Sequence, residues 1–198
     1  MMYPDFFDDV EPIRLKDELA EFLGTFAEGI VDIGYLDVVK AAGHSCPTVV
    51  GAYLMTREGL GALYPDELPV RGEIKVEFKE SVEEGTAGVV GNVVSNITGA
   101  TTNTGFKGLN GRFNRTGLMF YDVDIASNMR LSRTDTGASV DIWYTPTVVV
   151  QPGPLLQEVM QPGVSEDTKT AFARRWQELV ETLFENVDKV VRVAAGSY

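Results

Sequence analysis

Residues 73–79 read EIKVEFK, and this stretch decides the fold class. Ile74, Val76 and Phe78 alternate with charged neighbours, a period of two residues that places the apolar side chains on one face. The pattern predicts a β-strand that is buried on one side and exposed on the other.

Further strands are expected after this one, because runs of apolar and β-branched residues alternate with turn residues. Residues 135–137, Asp-Thr-Gly, are typical of a hairpin turn. Strands that follow each other so closely pair antiparallel, since a parallel crossover needs a dozen or more residues. The other predicted strands are 88–97, 118–123, 128–133 and 138–144, with an edge strand at 148–150 inside an irregular connector, 145–163.

Helices are predicted before and after the strands. Apolar residues recur every three or four positions in 13–26, and shorter helices are expected at 35–42 and from Pro47. A long helix is predicted from its N-cap, Ser165, to about Val193. The order predicts an α+β fold with a mostly antiparallel sheet, helices packed on one face and a long C-terminal helix.

Composition excludes several classes of partner. The 198 residues include 17 basic and 29 acidic ones, a formal net charge of -12, which disfavours nucleic acids and anionic membranes. No stretch approaches the roughly 20 apolar residues that cross a bilayer. One cysteine cannot form an internal disulfide, and the first residues lack the basic and apolar segments of a signal peptide. We therefore expect a soluble, cytoplasmic protein.

The sequence GHSCP, residues 43–47, holds the only histidine and the only cysteine of the chain. Pro47 is suited to the first turn of a helix, so His44 and Cys46 are expected at a helix N-terminus. The pair can bind a transition metal, which other ligands would have to complete. It can also form a nucleophile and its base if a turn at Gly43 brings the side chains together, or be a helix cap with a buried thiol.

A second candidate is the segment SNITGATTNTGFKGLNGRFNRTG, residues 95–117. Its glycines permit close backbone approach to a ligand, but their spacing is not that of a phosphate-binding or dinucleotide-binding loop. Lys107, Arg112 and Arg115 form a local basic cluster, which suits an anionic ligand or nearby carboxylates. A turn-rich structural loop is the alternative. The ligand-binding residues predicted here are Thr98, Gly99, Thr101, Gly105, Lys107 and Gly108.

Three stretches resemble the FmdE-like proteins, a family named for its association with formylmethanofuran dehydrogenase. AGHSCPTVVGAYLM is similar to the HGHxCPG motif of that family, VVSNITGATTNTGFKGL to its T-G-C-T segment, and RLSRTDTGASVDI to its Arg-x-Asp-Thr-Gly hairpin. The resemblance covers about residues 15–145. It implies an α+β fold, a homodimer, and zinc or another divalent transition metal held by His44 and Cys46 beside the 98–111 loop.

The chain departs from the family pattern at two potential ligands. Ala42 stands where the motif has its first histidine, and Ala100 where the second segment has a cysteine. The resemblance therefore implies either a metal with fewer protein ligands and an open position, or a branch without metal. It divides the chain into an FmdE-like metal-binding domain, 1–163, and a C-terminal helix, 164–198, packed on that domain or on a dimer partner.

The function that the resemblance implies is broad. It suggests a metal-binding accessory or small-ligand-binding protein linked to molybdenum or tungsten one-carbon or redox metabolism, with a metalloenzyme as a possible partner and an unknown small-molecule ligand. One alternative is an enzyme whose metal acts as a Lewis acid through an open coordination position. The other is a metal-free interaction domain. A fold or family alone does not decide between them.

Overall fold

The computed structural model describes residues 3–196. The first two residues of the predicted domain 1–163 and the last two of the predicted segment 164–198 lie outside the described residues. Short 3₁₀ turns lie at Ala27–Gly29 and Pro146–Val148. The helices are α1 (Phe6–Asp9), α2 (Glu18–Phe22), α3 (Tyr35–Ala42), α4 (Pro47–Leu63), α5 (Ala87–Thr98), α6 (Pro152–Val159), α7 (Glu166–Glu185) and α8 (Val187–Val190).

The strands form two sheets. The first pairs β1 with β2 antiparallel. The second has the order β4-β3-β5-β6-β7, in which β3 and β4 are parallel and the other neighbours antiparallel. The strands are β1 (Ile13–Lys16), β2 (Ile30–Ile33), β3 (Ile74–Phe78), β4 (Met119–Phe120), β5 (Met129–Arg133), β6 (Ser139–Tyr144) and β7 (Val191–Ala195).

Helix α4 is the centre of the core. Most of its residues are buried, and it packs on β5, β6 and β7 as well as on α3, α5 and α7. Apolar side chains all round a helix are typical of a helix that other elements of the fold surround. Two glycines let it lie close to the sheet: a side chain at Gly51 would overlap the ring of Tyr144, and one at Gly59 would lie 2.5 Å from Ile142 Cδ1.

The predicted fold class is confirmed: the protein has an α+β fold with a mostly antiparallel sheet and a long C-terminal helix. Helix α3, the start of α4 at Pro47, and strands β3, β5 and β6 lie where they were predicted. Ser165 caps α7, since its side chain accepts a hydrogen bond from the Thr168 N–H. Within residues 3–196 no helix combines the length and apolarity that a membrane crossing requires.

The predicted helix at 13–26 is confirmed only over Glu18–Phe22, which form α2. Its first residues form β1, in which the buried Ile13 and Leu15 alternate with outward-facing neighbours. Asp17 then caps α2 by accepting from the Ala20 N–H. The apolar residues that follow do not reach the core, because Phe22 is 60% exposed.

The predicted strand at 88–97 is a helix, α5. Its valines favour strands by propensity, but Val93, Val94 and Ile97 are also spaced three and four apart and are fully buried or nearly so. Contact with α4 therefore decides the conformation of this segment.

Three other predictions need correction. The strand expected at 118–123 is the two-residue β4, and it pairs parallel with β3 because the long preceding loop carries the chain back. The connector contains a 3₁₀ turn and α6 in place of an edge strand at 148–150. The C-terminal helix is shorter than expected, because residues 191–195 add β7 to the sheet beside β6.

Candidate functional site

The site begins where two helices meet. Gly43 ends α3 in the left-handed conformation, with φ of 77°, and its N–H donates to the Val39 carbonyl. Cys46 is the N-cap residue of α4, and Pro47 occupies the first turn. The positive φ at Gly43, which glycine adopts without strain, turns the chain sharply between the helices.

This turn brings His44 and Cys46 together. His44 Nε2 lies 3.3 Å from Cys46 Sγ, and His44 Nδ1 lies 3.1 Å from the carbonyl oxygen of Ala42. Since a carbonyl only accepts, we assign the ring proton to Nδ1, which leaves the Nε2 lone pair facing the sulfur. His44 is exposed and Cys46 is half-buried, so both are accessible at the surface.

The distance suits a shared metal ion. Zinc lies about 2.0–2.1 Å from a histidine nitrogen and about 2.3 Å from a cysteine sulfur, so a tetrahedral site places the two ligands roughly 3.5 Å apart. A hydrogen bond from Nδ1 to a carbonyl is the usual way in which a metal-binding histidine is oriented. Among the described residues, however, no cluster of three or more His, Cys, Asp or Glu side chains lies in a metal-binding arrangement. This chain therefore offers two side-chain ligands here.

Ser45, between the two candidate ligands, is held from both sides. Its buried hydroxyl lies 2.8 Å from the Tyr35 hydroxyl. Its carbonyl oxygen accepts a hydrogen bond of 3.0 Å from Trp176 Nε1, and Gln177 Nε2 lies 3.5 Å away. Helices α3 and α7 thereby fix the backbone that carries His44 and Cys46.

Two tyrosines support the start of α4. Burial raises the pKa of the Tyr35 phenol, and the nearby Cys46 raises it further, against a lowering effect of the Ser45 hydrogen bond. Burial, with smaller contributions of Tyr35 and Cys46, also raises the pKa of Tyr144. Tyr144 donates a hydrogen bond of 2.8 Å to the Pro47 carbonyl. Both phenols stay protonated at neutral pH, so Tyr144 serves as a donor to the Pro47 carbonyl, while either hydroxyl of the Tyr35 and Ser45 pair can donate.

A small cavity adjoins His44. Its volume is about 160 Å³, which accommodates a ligand of a few heavy atoms. Helix α5 contributes two polar residues to its lining, Asn92 and Asn96. The remaining lining residues are Ala41, Ala42, Val89 and Val93.

The predicted ligand-binding loop does not join this cavity. None of Thr98, Gly99, Thr101, Gly105, Lys107 and Gly108 is among its lining residues. The loop instead closes on itself: the Thr101 N–H and hydroxyl both donate to the Arg115 carbonyl, at 2.9 and 2.6 Å, and the Arg115 N–H donates to Phe106 O. The structure therefore brings His44 and Cys46 together but leaves the loop elsewhere.

The individual loop residues have structural contacts. Thr98 is buried and its hydroxyl donates to Val94 O, while Gly99 ends α5 with φ of 75°. Gly105 packs against Thr101, and Gly108 adopts φ of 87° against the backbone of residue 112. Lys107 is exposed. These contacts hold the loop in shape, and its binding of a ligand stays a prediction.

A buried charge cluster near the loop gives Arg115 a carboxylate partner, one of the two predicted alternatives, although the sequence did not indicate which carboxylate. Arg71 and Arg115 each donate to one carboxylate oxygen of Asp17, at 2.9 and 2.8 Å. A side chain at Gly72 would lie 2.6 Å from Arg115 Nη1, so the glycine leaves room for the guanidinium. These residues are far apart in the chain and no local spacing connects them. The contacts indicate a structural role, since Arg115 ties the loop to the cap of α2.

Comparison of the chain with protein-family models and with curated proteins gives no match. The residues of the site therefore carry the functional assignment by themselves. The strongest of their features is the convergence of one imidazole nitrogen and one thiol sulfur at a helix start.

Proposed function

We propose that His44 and Cys46 bind one divalent transition-metal ion, zinc or an ion of similar preference, in an open site. The observation that carries the proposal is the 3.3 Å separation of Nε2 and Sγ, with Nδ1 turned to the Ala42 carbonyl. Nitrogen and sulfur together favour zinc and related ions over magnesium or calcium.

An ion held by two side chains keeps positions for other ligands. Such positions suit a metal-binding protein that takes a small ligand, and the 160 Å³ cavity beside His44 limits that ligand to a few heavy atoms. The ion would supply a Lewis acid to a bound group, while Asn92 and Asn96 would hydrogen-bond it. The family resemblance supports the same proposal, and with it a homodimer that assists a metalloenzyme, while the single cysteine favours the cytoplasm.

Zinc content and affinity test the proposal directly. We expect about one zinc ion per chain in the wild-type protein, and a loss of affinity of at least about tenfold in both His44→Gln and Cys46→Ser. Lys40→Ala is the control, because Lys40 is exposed on α3 and has no ligating role in the proposal. Equal zinc binding by the wild type and the His44→Ala, Cys46→Ala double variant would contradict the proposed metal site.

A second candidate function is nucleophilic chemistry without a metal. The same contact places an imidazole nitrogen where it can accept the thiol proton, and the described residues provide no third metal ligand beside it. In this case Cys46 of chelator-treated protein reacts rapidly with iodoacetamide, and His44→Gln slows the reaction at least about tenfold. If zinc protects Cys46 from the reagent and His44→Gln leaves the metal-free rate unchanged, metal binding is favoured over this candidate.

A further inference from the structure

A second cavity lies at the base of the loop and shares no lining residue with the cavity beside His44. Its volume is about 270 Å³, close to the roughly 300–1,000 Å³ of typical small-molecule sites. The start of α2, the segment before β3 and the end of the loop form its walls. None of the six ligand-binding residues predicted at 98–108 lines it, so it is a separate candidate site.

One wall of this cavity holds a guanidinium with an unused donor. Arg115 is only 6% exposed, and its Nη2 donates to Asp17, while its Nη1 is buried and has no hydrogen-bond partner among the described residues. Gly72 also lines the cavity, and a side chain on it would come within 2.6 Å of Nη1, so the unpaired nitrogen lies at the cavity wall. Arg71, the other cation of the lining, spends its donors on Asp17 and two backbone carbonyls. A buried charged donor without an acceptor is costly, and an acceptor that is not part of the chain would relieve that cost.

The same cavity holds two carboxylates without a cationic partner. Glu18 and Glu73 both line it, and within residues 3–196 neither takes part in an ion pair. Burial raises the pKa of Glu73, and the negative charges of Glu18 and Asp135 raise it further, against the lowering effect of Arg133. A cation bound in the cavity would stabilise these carboxylates in their charged form.

Apolar residues complete the lining. Leu19, Val70, Leu118 and Phe113 all contribute to it. Phe113 adopts φ of 61°, in the left-handed region where a bulky side chain is strained. Residues held in such conformations concentrate at sites that bind ligands. The apolar part of the lining suits a ligand with a hydrocarbon portion as well as charged groups.

We propose that this cavity binds a small zwitterion, an amino acid with an apolar chain, whose carboxylate pairs with Arg115 and whose ammonium pairs with Glu73 and Glu18. A simple anion would meet two unpaired carboxylates, and a simple amine would leave the Arg115 nitrogen without an acceptor. A molecule that carries both charges pairs at both ends. The site is independent of the metal ion proposed at His44 and Cys46.

Isothermal titration calorimetry of the full chain tests the proposal with two zwitterions and two molecules of single charge. L-leucine carries its ammonium and carboxylate close together, and ε-aminocaproate carries them far apart. Caproate and hexylamine each keep one of the two charges. We expect at least one zwitterion to bind at least about tenfold more tightly than caproate or hexylamine, because only a zwitterion pairs at both ends. No binding of either zwitterion at millimolar concentration, or equally tight binding of caproate, overturns the proposal.

Substitutions assign the two ends of the site. Glu73→Gln should weaken binding of the zwitterion at least about tenfold, whereas Glu83→Gln should not, because Glu83 is an exposed carboxylate outside the lining. Arg115→Lys should weaken binding of the zwitterion and leave that of hexylamine unchanged. Circular dichroism establishes that each variant is folded, and the comparison of Glu73→Gln with Glu83→Gln decides the question even where Arg115→Lys does not fold. Equal effects of those two glutamine variants overturn the proposal.

Discussion

Trp176 Nε1 donates a hydrogen bond of 3.0 Å to the carbonyl oxygen of Ser45, a residue 131 positions earlier in the chain. The long C-terminal helix thus holds the backbone between His44 and Cys46. The other neighbour of this carbonyl, Gln177 Nε2, lies at 3.5 Å, so the indole supplies the stronger contact.

Trp176→Phe is expected to weaken metal binding without unfolding the protein. It removes the donor to the Ser45 carbonyl, which lowers the free energy of unfolding by about 1–3 kcal/mol and loosens the spacing of the two ligands. Zinc affinity then falls several-fold. Trp143→Phe is the matched control, since Trp143 Nε1 donates to Ala126 O at 3.2 Å on a different part of the fold. Equal zinc affinity in the two variants would rule out a positioning role of Trp176.

Gly51→Ala tests the packing beneath the site. A methyl group at this position overlaps the Tyr144 ring, whose hydroxyl binds the Pro47 carbonyl. We expect a loss of about 1–3 kcal/mol in the free energy of unfolding, measured by urea denaturation. Gly61→Ala in the same helix has no atom within 4 Å of the new methyl group, so it should stabilise by about 0.5–1 kcal/mol. The same sign of effect in both variants would contradict the close approach of α4 to the sheet.

Asp17→Asn tests the buried charge cluster. It leaves the Arg115 guanidinium without its anionic partner, which costs about 3–5 kcal/mol of unfolding free energy when the pair is as buried as this one. Asp32→Asn is the control, because the exposed pair of Asp32 and Arg14 contributes little. If Asp17→Asn is as mild as Asp32→Asn, the cluster does not hold the loop.

The stability due to Asp17 should depend on pH. Burial raises the pKa of its carboxyl, but the Arg71 hydrogen bond, the Ala20 N–H and the charge of Arg115 together lower the pKa below its ordinary value. A lowered pKa in the folded state stabilises the protein above the unfolded pKa of about 3.9, and this stabilisation is lost as the pH falls below it. The difference in the free energy of unfolding between the wild type and Asp17→Asn is therefore constant near neutral pH and becomes smaller in acid. A difference that grows as the pH falls would contradict the lowered pKa of Asp17.

Part of this architecture follows from sequence patterns. The alternation in EIKVEFK identifies β3, and Asp-Thr-Gly identifies the hairpin of β5 and β6, because these signals are local. The valines of α5 mislead, since burial against α4 outweighs strand propensity. Strand β1 could not be predicted because its partner β2 lies beyond α2 and a 3₁₀ turn, and because a short apolar run fits the helical period as well as the period of a strand.

The candidate site, like the fold, could be predicted from the sequence only in part. GHSCP and its helix start are visible in the sequence, but the contact of His44 with Cys46 depends on the positive φ of Gly43. Ligand binding by the glycine-rich loop stays a prediction, because glycines serve both ligands and tight turns. The carboxylate partner of Arg115, Asp17, is 98 positions away in the chain, and no spacing rule connects the two residues.

Adding a third side-chain ligand provides a gain-of-function test. Ala42 lines the cavity beside His44, whereas the fully buried Ala100 does not. Ala42→His should raise zinc affinity at least about tenfold by adding a third side-chain ligand. Ala100→Cys should leave the affinity unchanged. The opposite order of effects would place the metal next to the loop instead.

X-ray absorption spectroscopy of the zinc-loaded protein tests the central claim most directly. We expect one sulfur at about 2.3 Å and nitrogen or oxygen ligands at about 2.0–2.1 Å, with the sulfur contribution lost in Cys46→Ser. A wild-type spectrum with nitrogen and oxygen ligands only, and no sulfur, would contradict it.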